Sequence, residues 1–220
     1  MAPNRDPLLF RNPGSIEIAT VPTLYNGEEV FVSTADGGGE ANDMQVHFNS
    51  MGATAAFSVV GVAHFNAAML GAGFHALLTF VRDGSNLESM LVHQYSGGTN
   101  YLTAFADQPS GGGANYNIDS GSDVAADTPF VFVWQVLASG GCRLFINTDL
   151  DASILSSPGS GAPETGTMKL RICTTGTSTQ QWLGALGRSY VFAGDILDTP
   201  EKNGLALALV VEAMAKFDVS

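Results

Sequence analysis

Three side-chain oxygen donors stand at alternate positions in the stretch "FINTDLDAS": Asn147, Asp149 and Asp151. Oxygen ligands at this spacing belong to calcium loops, so these three are the candidate metal ligands and Ca2+ the one cofactor the chain suggests. An EF-hand loop also needs glycine at its sixth position and glutamate at its twelfth. Counted from Asn147, those places hold Ala152 and Pro158. Asn and Asp also favour turns, because they hydrogen-bond their own backbone and tolerate positive φ. A hairpin tip therefore ranks ahead of calcium here, and likewise for Asp119 and Asp123 in "NIDSGSD".

Catalytic chemistry finds less support. Glycoside hydrolysis needs two carboxylates facing one bond, about 5–5.5 Å apart in retaining enzymes and about 6.5–9.5 Å in inverting ones. Glu28 and Glu29 are adjacent, so a strand sends them to opposite faces; Glu88 precedes a strand pattern and Asp195 ends another. There is no G-x-S-x-G elbow, no H-E-x-x-H and no phosphate loop. The chain reads as a non-enzyme. His47, His64, His75 and His93 each lie in or beside a strand pattern, and nothing in their spacing selects a metal or a base over ordinary packing. Trp182, beside the loop sequence "TGTSTQQ", is the candidate ligand-binding residue, as a platform for a sugar ring; the competing reading makes both Trp134 and Trp182 core. Cys142 and Cys173 are too few for a disulfide framework or a zinc cluster, and buried thiols are the plainer reading, with pairing left open.

The elements that must position these residues are β-strands. With 220 residues, the chain suits a single all-β sandwich or barrel. Short apolar runs, among them "AAFSVVGVAHF", "FHALLTFV", "SMLVHQY", "YLTAFA", "PFVFVWQVLA", "CRLFIN", "MKLRIC" and "GRSYVFAGDI", alternate with clusters of Gly, Ser, Asn and Asp. "FSVVGVA" and "FVFVWQV" are apolar on both faces and belong at the sandwich centre. Residues 1–43 read as an N-terminal arm with a first strand or two, 44–199 as the sandwich, and 200–220 as a C-terminal helix packed on the sandwich or on a neighbour. The helix is expected over 200–216: Asp198 or Thr199 caps it, Pro200 takes the first position and Glu201 the first turn.

Charge narrows the partners. Twenty-one acidic residues against nine basic give a net charge of −12, the wrong sign for tracking nucleic-acid phosphates or anionic membranes. No apolar run is long enough to span a bilayer, and "MAPNRDPLLFRNPGS" has proline where a signal peptide has its apolar centre. Only 14% of residues are charged, and such surfaces are those that meet other subunits.

"DTPFVFVWQVLASGGCRLFINTDLDAS", "MKLRICTTG" and "QQWLGALGRSYVFAGDILDTPEK" together resemble a concanavalin A-like jelly roll of the laminin-G-like type. Phe130 stands where that family usually has Trp, "LFIN" with Thr148 replaces "LYVDG", and Trp182 with Gly184 supplies its aromatic-x-Gly step. The resemblance covers roughly residues 44–202 and implies an all-β jelly-roll sandwich of two antiparallel sheets. Its relatives sometimes bind calcium at loop rims. Glucanases of similar fold carry E-x-D-x-x-E, which does not occur here; the lyases carry Arg, Gln-x-His and Tyr combinations, of which the chain has a Gln-x-His string only at Gln45-Val46-His47.

Three functions follow as expectations. The first is a non-catalytic structural or assembly protein, of the kind found as a phage capsid decoration or tail protein. It would be made in the host cytoplasm, mounted on a virion, and partnered by its own copies or by other capsid or tail subunits. The second is a carbohydrate-binding module or lectin with loop-rim calcium and a glycan partner. The third is a polysaccharide lyase or glycosidase.

Overall fold

The computed structural model describes residues 9–11, 16–21, 24–33, 43–45, 56–71, 73–82, 88–106, 116–121, 123–138, 140–147, 168–173 and 182–219. Six strands form one antiparallel sheet, ordered β11 (Cys142–Ile146), β10 (Phe130–Val136), β5 (Phe57–Phe65), β13 (Gly184–Ala193), β3 (Glu29–Ser33) and β2 (Ile16–Thr20). Five form a second, ordered β12 (Met168–Ile172), β6 (Phe74–Arg82), β7 (Glu88–Ser96), β8 (Thr99–Ala106) and β9 (Tyr116–Asp119). A short pair joins β1 (Leu9–Arg11) to β4 (Asp43–Gln45). β2 and β3 lie within residues 1–43, the segment expected as an arm with a first strand or two, and pair into the six-stranded sheet.

The alternation of side chains along each strand divides the interior in two. Phe57, Val59 and Phe65 of β5 and Phe130, Phe132 and Trp134 of β10 point inward, where Leu78 and Phe80 of β6, Leu91 of β7 and Leu102 of β8 meet them. The even-numbered Val60 and Val62 of β5, with Val131 and Val133 of β10, point outward into a second cluster. That cluster is closed by Ala206, Val210 and Phe217 of the α-helix α1 (Pro200–Phe217). This explains why β5 and β10 are apolar on both faces. One face meets the opposite sheet and the other lies under the helix.

The helix ends where its sequence says it should. Thr199 is the N-cap, its Oγ1 accepting from the Lys202 backbone N–H at 3.3 Å, and Pro200 opens the first turn. Asp218, at φ 53°, closes it, with the Val219 N–H donating to the Met214 carbonyl at 3.0 Å.

One irregularity in β13 decides what lies beside this helix. Leu186 pairs with Ala63 of β5, but Ser189 pairs with Gly61, so β13 carries one extra residue at this point. A bulge of one residue reverses which side chains face which way. Before it, Ala185 lies in the outer cluster and Leu186 in the inner; after it, Phe192 packs outward and Val191 inward. Arg188 and Tyr190 are thereby delivered to the outer face. Gly187 sits at the bulge, where an added Cβ would stand 3.3 Å from Val62 and 3.5 Å from the Phe217 ring. An alanine there would press on Val62 by a few tenths of an ångström and touch the Phe217 ring at ordinary contact distance.

Candidate functional site

Asn147 follows β11 directly, at φ 57°, inside the left-handed region that Asn tolerates. Its backbone N–H donates to the Val131 carbonyl at 2.7 Å, and its Oδ1 accepts from the Val131 N–H at 3.0 Å. The amide oxygen a cation would take thus already closes the end of the β10–β11 ladder. Asp149 and Asp151 lie outside the described residues. Asp119 Oδ1 accepts from Gly121 N–H at 2.9 Å as a turn residue, whereas Asp123 Oδ1 accepts from the distant Asn100 N–H at 2.9 Å and ties its loop to β8. Among the described residues, no group of three or more His, Cys, Asp or Glu is assembled to hold a metal ion.

Trp182 is 0% exposed, and its indole N–H donates to the His64 carbonyl at 2.9 Å. Phe65 meets it edge-on, with ring centroids 6.0 Å apart. No face of this ring is open to stack on a sugar. Trp134 is equally buried, edge-on to Phe57 at 5.1 Å. Cys142 and Cys173 are buried and not joined to one another; burial pushes the Cys173 thiol up to about 12, which leaves it unreactive.

The described histidines sort by strand face. His64, on the outer face of β5, has Nε2 3.1 Å from Asn66 Oδ1 and Nδ1 2.8 Å from the Tyr25 hydroxyl. An amide oxygen only accepts, so Nε2 carries the proton and Tyr25 donates to Nδ1. His93 is fully buried, its Nε2 3.1 Å from Asn100 Oδ1, and it is paired across the β6–β7 ladder with His75, ring centroids 6.0 Å apart. Burial holds both His64 and His93 below the usual histidine value. These are structural groups at one end of the sandwich. His47 lies outside the described residues.

The acids are similarly committed. Asp195, at the end of β13, accepts from Gln135 Nε2 at 2.7 Å and the Leu197 N–H at 2.8 Å, and its Oδ2 is 3.3 Å from Arg143. Gln135 Nε2 also donates to Ser58 Oγ at 3.0 Å, and that oxygen accepts from Ile196 N–H at 3.2 Å. Four sequence-distant residues thus fasten the turn leading into α1 onto the outer sheet face. Lys202 pairs with Asp198 at 2.9 Å, and Lys216 with Glu28 at 3.1 Å. The sequence alone signals none of this clamp, since its members only meet through strand register.

Two surfaces remain, both on α1. It exposes Leu205 (52%) on one side and Leu207 (43%) and Val211 (52%) on another, three of the five large apolar side chains most open to water among the described residues. Along its flank runs a shallow cleft against β13, lined by Arg188, Tyr190, Leu209, Glu212, Lys216 and Phe217. No helix among the described residues is long and apolar enough to cross a membrane.

By sequence, no protein-family model matches the chain, and no curated protein matches it. By structure, it is similar to several solved proteins. The binding domain of Paraclostridial Mosquitocidal Protein 1 superposes with a TM-score of 0.61 at 11% identity, over 90% of this chain and 47% of that one. The CBM40 of Ruminococcus gnavus IT-sialidase, bound to α2,3-sialyllactose, gives 0.54 at 13%, over 78% and 96%. Tailspike protein 2 of the Escherichia coli O157:H7 bacteriophage CAB120 gives 0.55 at 11%, over 89% and 26%. At these identities the likeness defines the fold. The chain is a concanavalin A-like jelly-roll sandwich of two antiparallel sheets with one C-terminal helix.

Proposed function

We propose that the chain is a non-catalytic assembly protein acting through protein–protein contacts, an accessory component of a virion surface such as a capsid decoration or tail protein. The observation that carries this reading is the outward side of α1. Leu207 and Val211, one turn apart on the same helix face, are each about half exposed. Neighbouring apolar side chains open to water on one helix face offer a place where another protein can dock. The low charge content, 14% of residues, agrees with a surface that is partly covered in use. The virion setting is supported by the occurrence of the same sandwich in a bacteriophage tailspike protein.

Native mass spectrometry and light scattering of the wild type and of Leu207→Asp/Val211→Asp test this. The wild type is expected to form a discrete oligomer, and the variant to run as a monomer with its melting temperature nearly unchanged. A wild type that stays monomeric at high concentration removes the homo-oligomeric form of the reading. Repeating the measurement with a chelator examines the Asn147–Asp151 stretch: a melting temperature several degrees lower without calcium would mean the ion binds the folded state.

A further inference from the structure

We propose that Asn26 is a self-modifying site, where attack by the Gly27 amide nitrogen produces an isoaspartyl linkage that loosens the last turn of α1. The inference is independent of the assembly reading, which rests on Leu207 and Val211.

The sequence holds two Asn-Gly steps, and the fold treats them oppositely. Asn203–Gly204 lies inside α1, within eighteen residues of continuous helix. Asn26–Gly27 lies in the short turn before β3, and both residues are exposed. Tyr25, Asn26 and Gly27 stand at φ 59°, 52° and 75°, three successive residues in the left-handed region. That region suits glycine, is tolerated by asparagine and is costly for tyrosine. Burial holds Tyr25 in it: the side chain is 1% exposed, its hydroxyl is 2.8 Å from His64 Nδ1, and its ring meets Phe217 edge-on at 5.9 Å. Glu28 supplies a second tie to the helix, its Oε2 3.1 Å from Lys216 Nζ. An exposed Asn-Gly step is thus strung between two residues fastened to the end of α1.

The chemistry needs only neighbouring atoms and water. Covalent geometry alone keeps an asparagine Cγ within reach of the next backbone nitrogen. Gly27 has no side chain to obstruct the approach, and a Cβ built there meets nothing within 4 Å. Once hydroxide removes the Gly27 amide proton, the nitrogen attacks Asn26 Cγ and a new C–N bond forms. The Cγ–Nδ2 bond then breaks, and the departing nitrogen takes a proton from water and leaves as ammonia. A succinimide ring remains. Water opens it at the side-chain carbonyl to give an aspartyl residue. Opened at the main-chain carbonyl, the chain runs on through Cβ and Cγ as an isoaspartyl residue. In α1 the same attack would swing the Gly204 nitrogen out of the helical backbone, so it must wait for the helix to open. The isoaspartyl product lengthens the main chain by one carbon between Tyr25 and Glu28. Both residues are anchored, so the extra length is taken up at the Phe217 contact and the Lys216 ion pair.

The test is to age the full chain at mildly alkaline pH, in buffer and in urea. Peptide mapping by mass spectrometry, with enzymatic carboxyl methylation of isoaspartate, then reads both steps. In buffer Asn26 should convert at least roughly tenfold faster than Asn203, whereas in urea the two should convert at similar rates. Asn26→Gly keeps the left-handed turn without a side chain and should yield no isoaspartate in that peptide. Amide exchange over residues 214–217 should be faster in the aged, charge-separated wild type than in fresh protein, and unchanged by ageing in Asn26→Gly. Equal conversion of the two steps in buffer overturns the site, as does an Asn26 that converts in urea but stays intact in buffer. Isoaspartate at Asn26 with unaltered exchange at the end of α1 overturns its link to the helix. None of these outcomes bears on the oligomeric state, so the assembly reading stands or falls separately.

Discussion

His64, on the outer face of β5, and His93, between the sheets, are buried as neutral rings, each with an Nε2–H committed to an Asn oxygen. In the unfolded chain both take up a proton as pH falls through about 6.5. In the folded chain they resist it, because burial lowers both values. The unfolded state therefore binds more protons over this window. Stability should be full above pH about 7 and decline as pH falls below about 6.5, by up to ~1.4 kcal/mol per pH unit for each histidine. For His93 burial is the largest cause; the Asn100 hydrogen bond and the Asp123 charge oppose it, and His75 across the ladder adds to it. Urea unfolding between pH 8 and 5 measures the slope, and His93→Gln should flatten it. An unchanged slope in that variant would mean His93 titrates alike in both states. Gly184 makes the same point about space: at φ 148°, an added Cβ would strike the His64 carbonyl, which already holds the Trp182 indole.

The helix is the element whose energetics are simplest to dissect. Thr199→Ala removes the N-cap acceptor and should cost about 1 kcal/mol. Gly204 lies mid-helix on the solvent side, and an added Cβ meets nothing within 4 Å. Gly204→Ala should stabilise the monomeric fold by up to ~1 kcal/mol, read by chemical denaturation. The helix was legible because its signals are local: Thr199, Pro200 and Glu201 mark the start, and the structure ends it at Phe217, one residue past the expected 216. β5 and β10 were legible because both their faces are buried. β9 was not, since "YNID" carries turn residues and becomes a strand only by pairing with β8. The β13 bulge was also hidden, because a one-residue shift in facing direction is set by the partner strand. At the candidate sites, the turn at Asp119 could be read from residue type. The Asp195 clamp and the Arg188 cleft could not, since both arise where distant segments meet.

At the scale of the whole molecule, the six-stranded sheet is covered twice, by the other sheet and by α1. A chain ended before Pro200 should keep the inner core but bare Val60, Val62, Val131 and Val133 to water. The expected result is loss of solubility or strong binding of a hydrophobic dye; a soluble, dye-silent truncation would show that the outer cluster does not need the helix. The sheet order carries a further consequence, in time. β3 and β2 join the rest of their sheet through β13 alone. A growing chain that has released its first strands must therefore hold them unpaired with β5 until residues 184–193 emerge from the ribosome. Pairings between such distant segments form slowly. Through most of its synthesis the protein exposes an open sheet edge along β5, and its yield in a cell should depend on how well that edge is guarded while the chain waits.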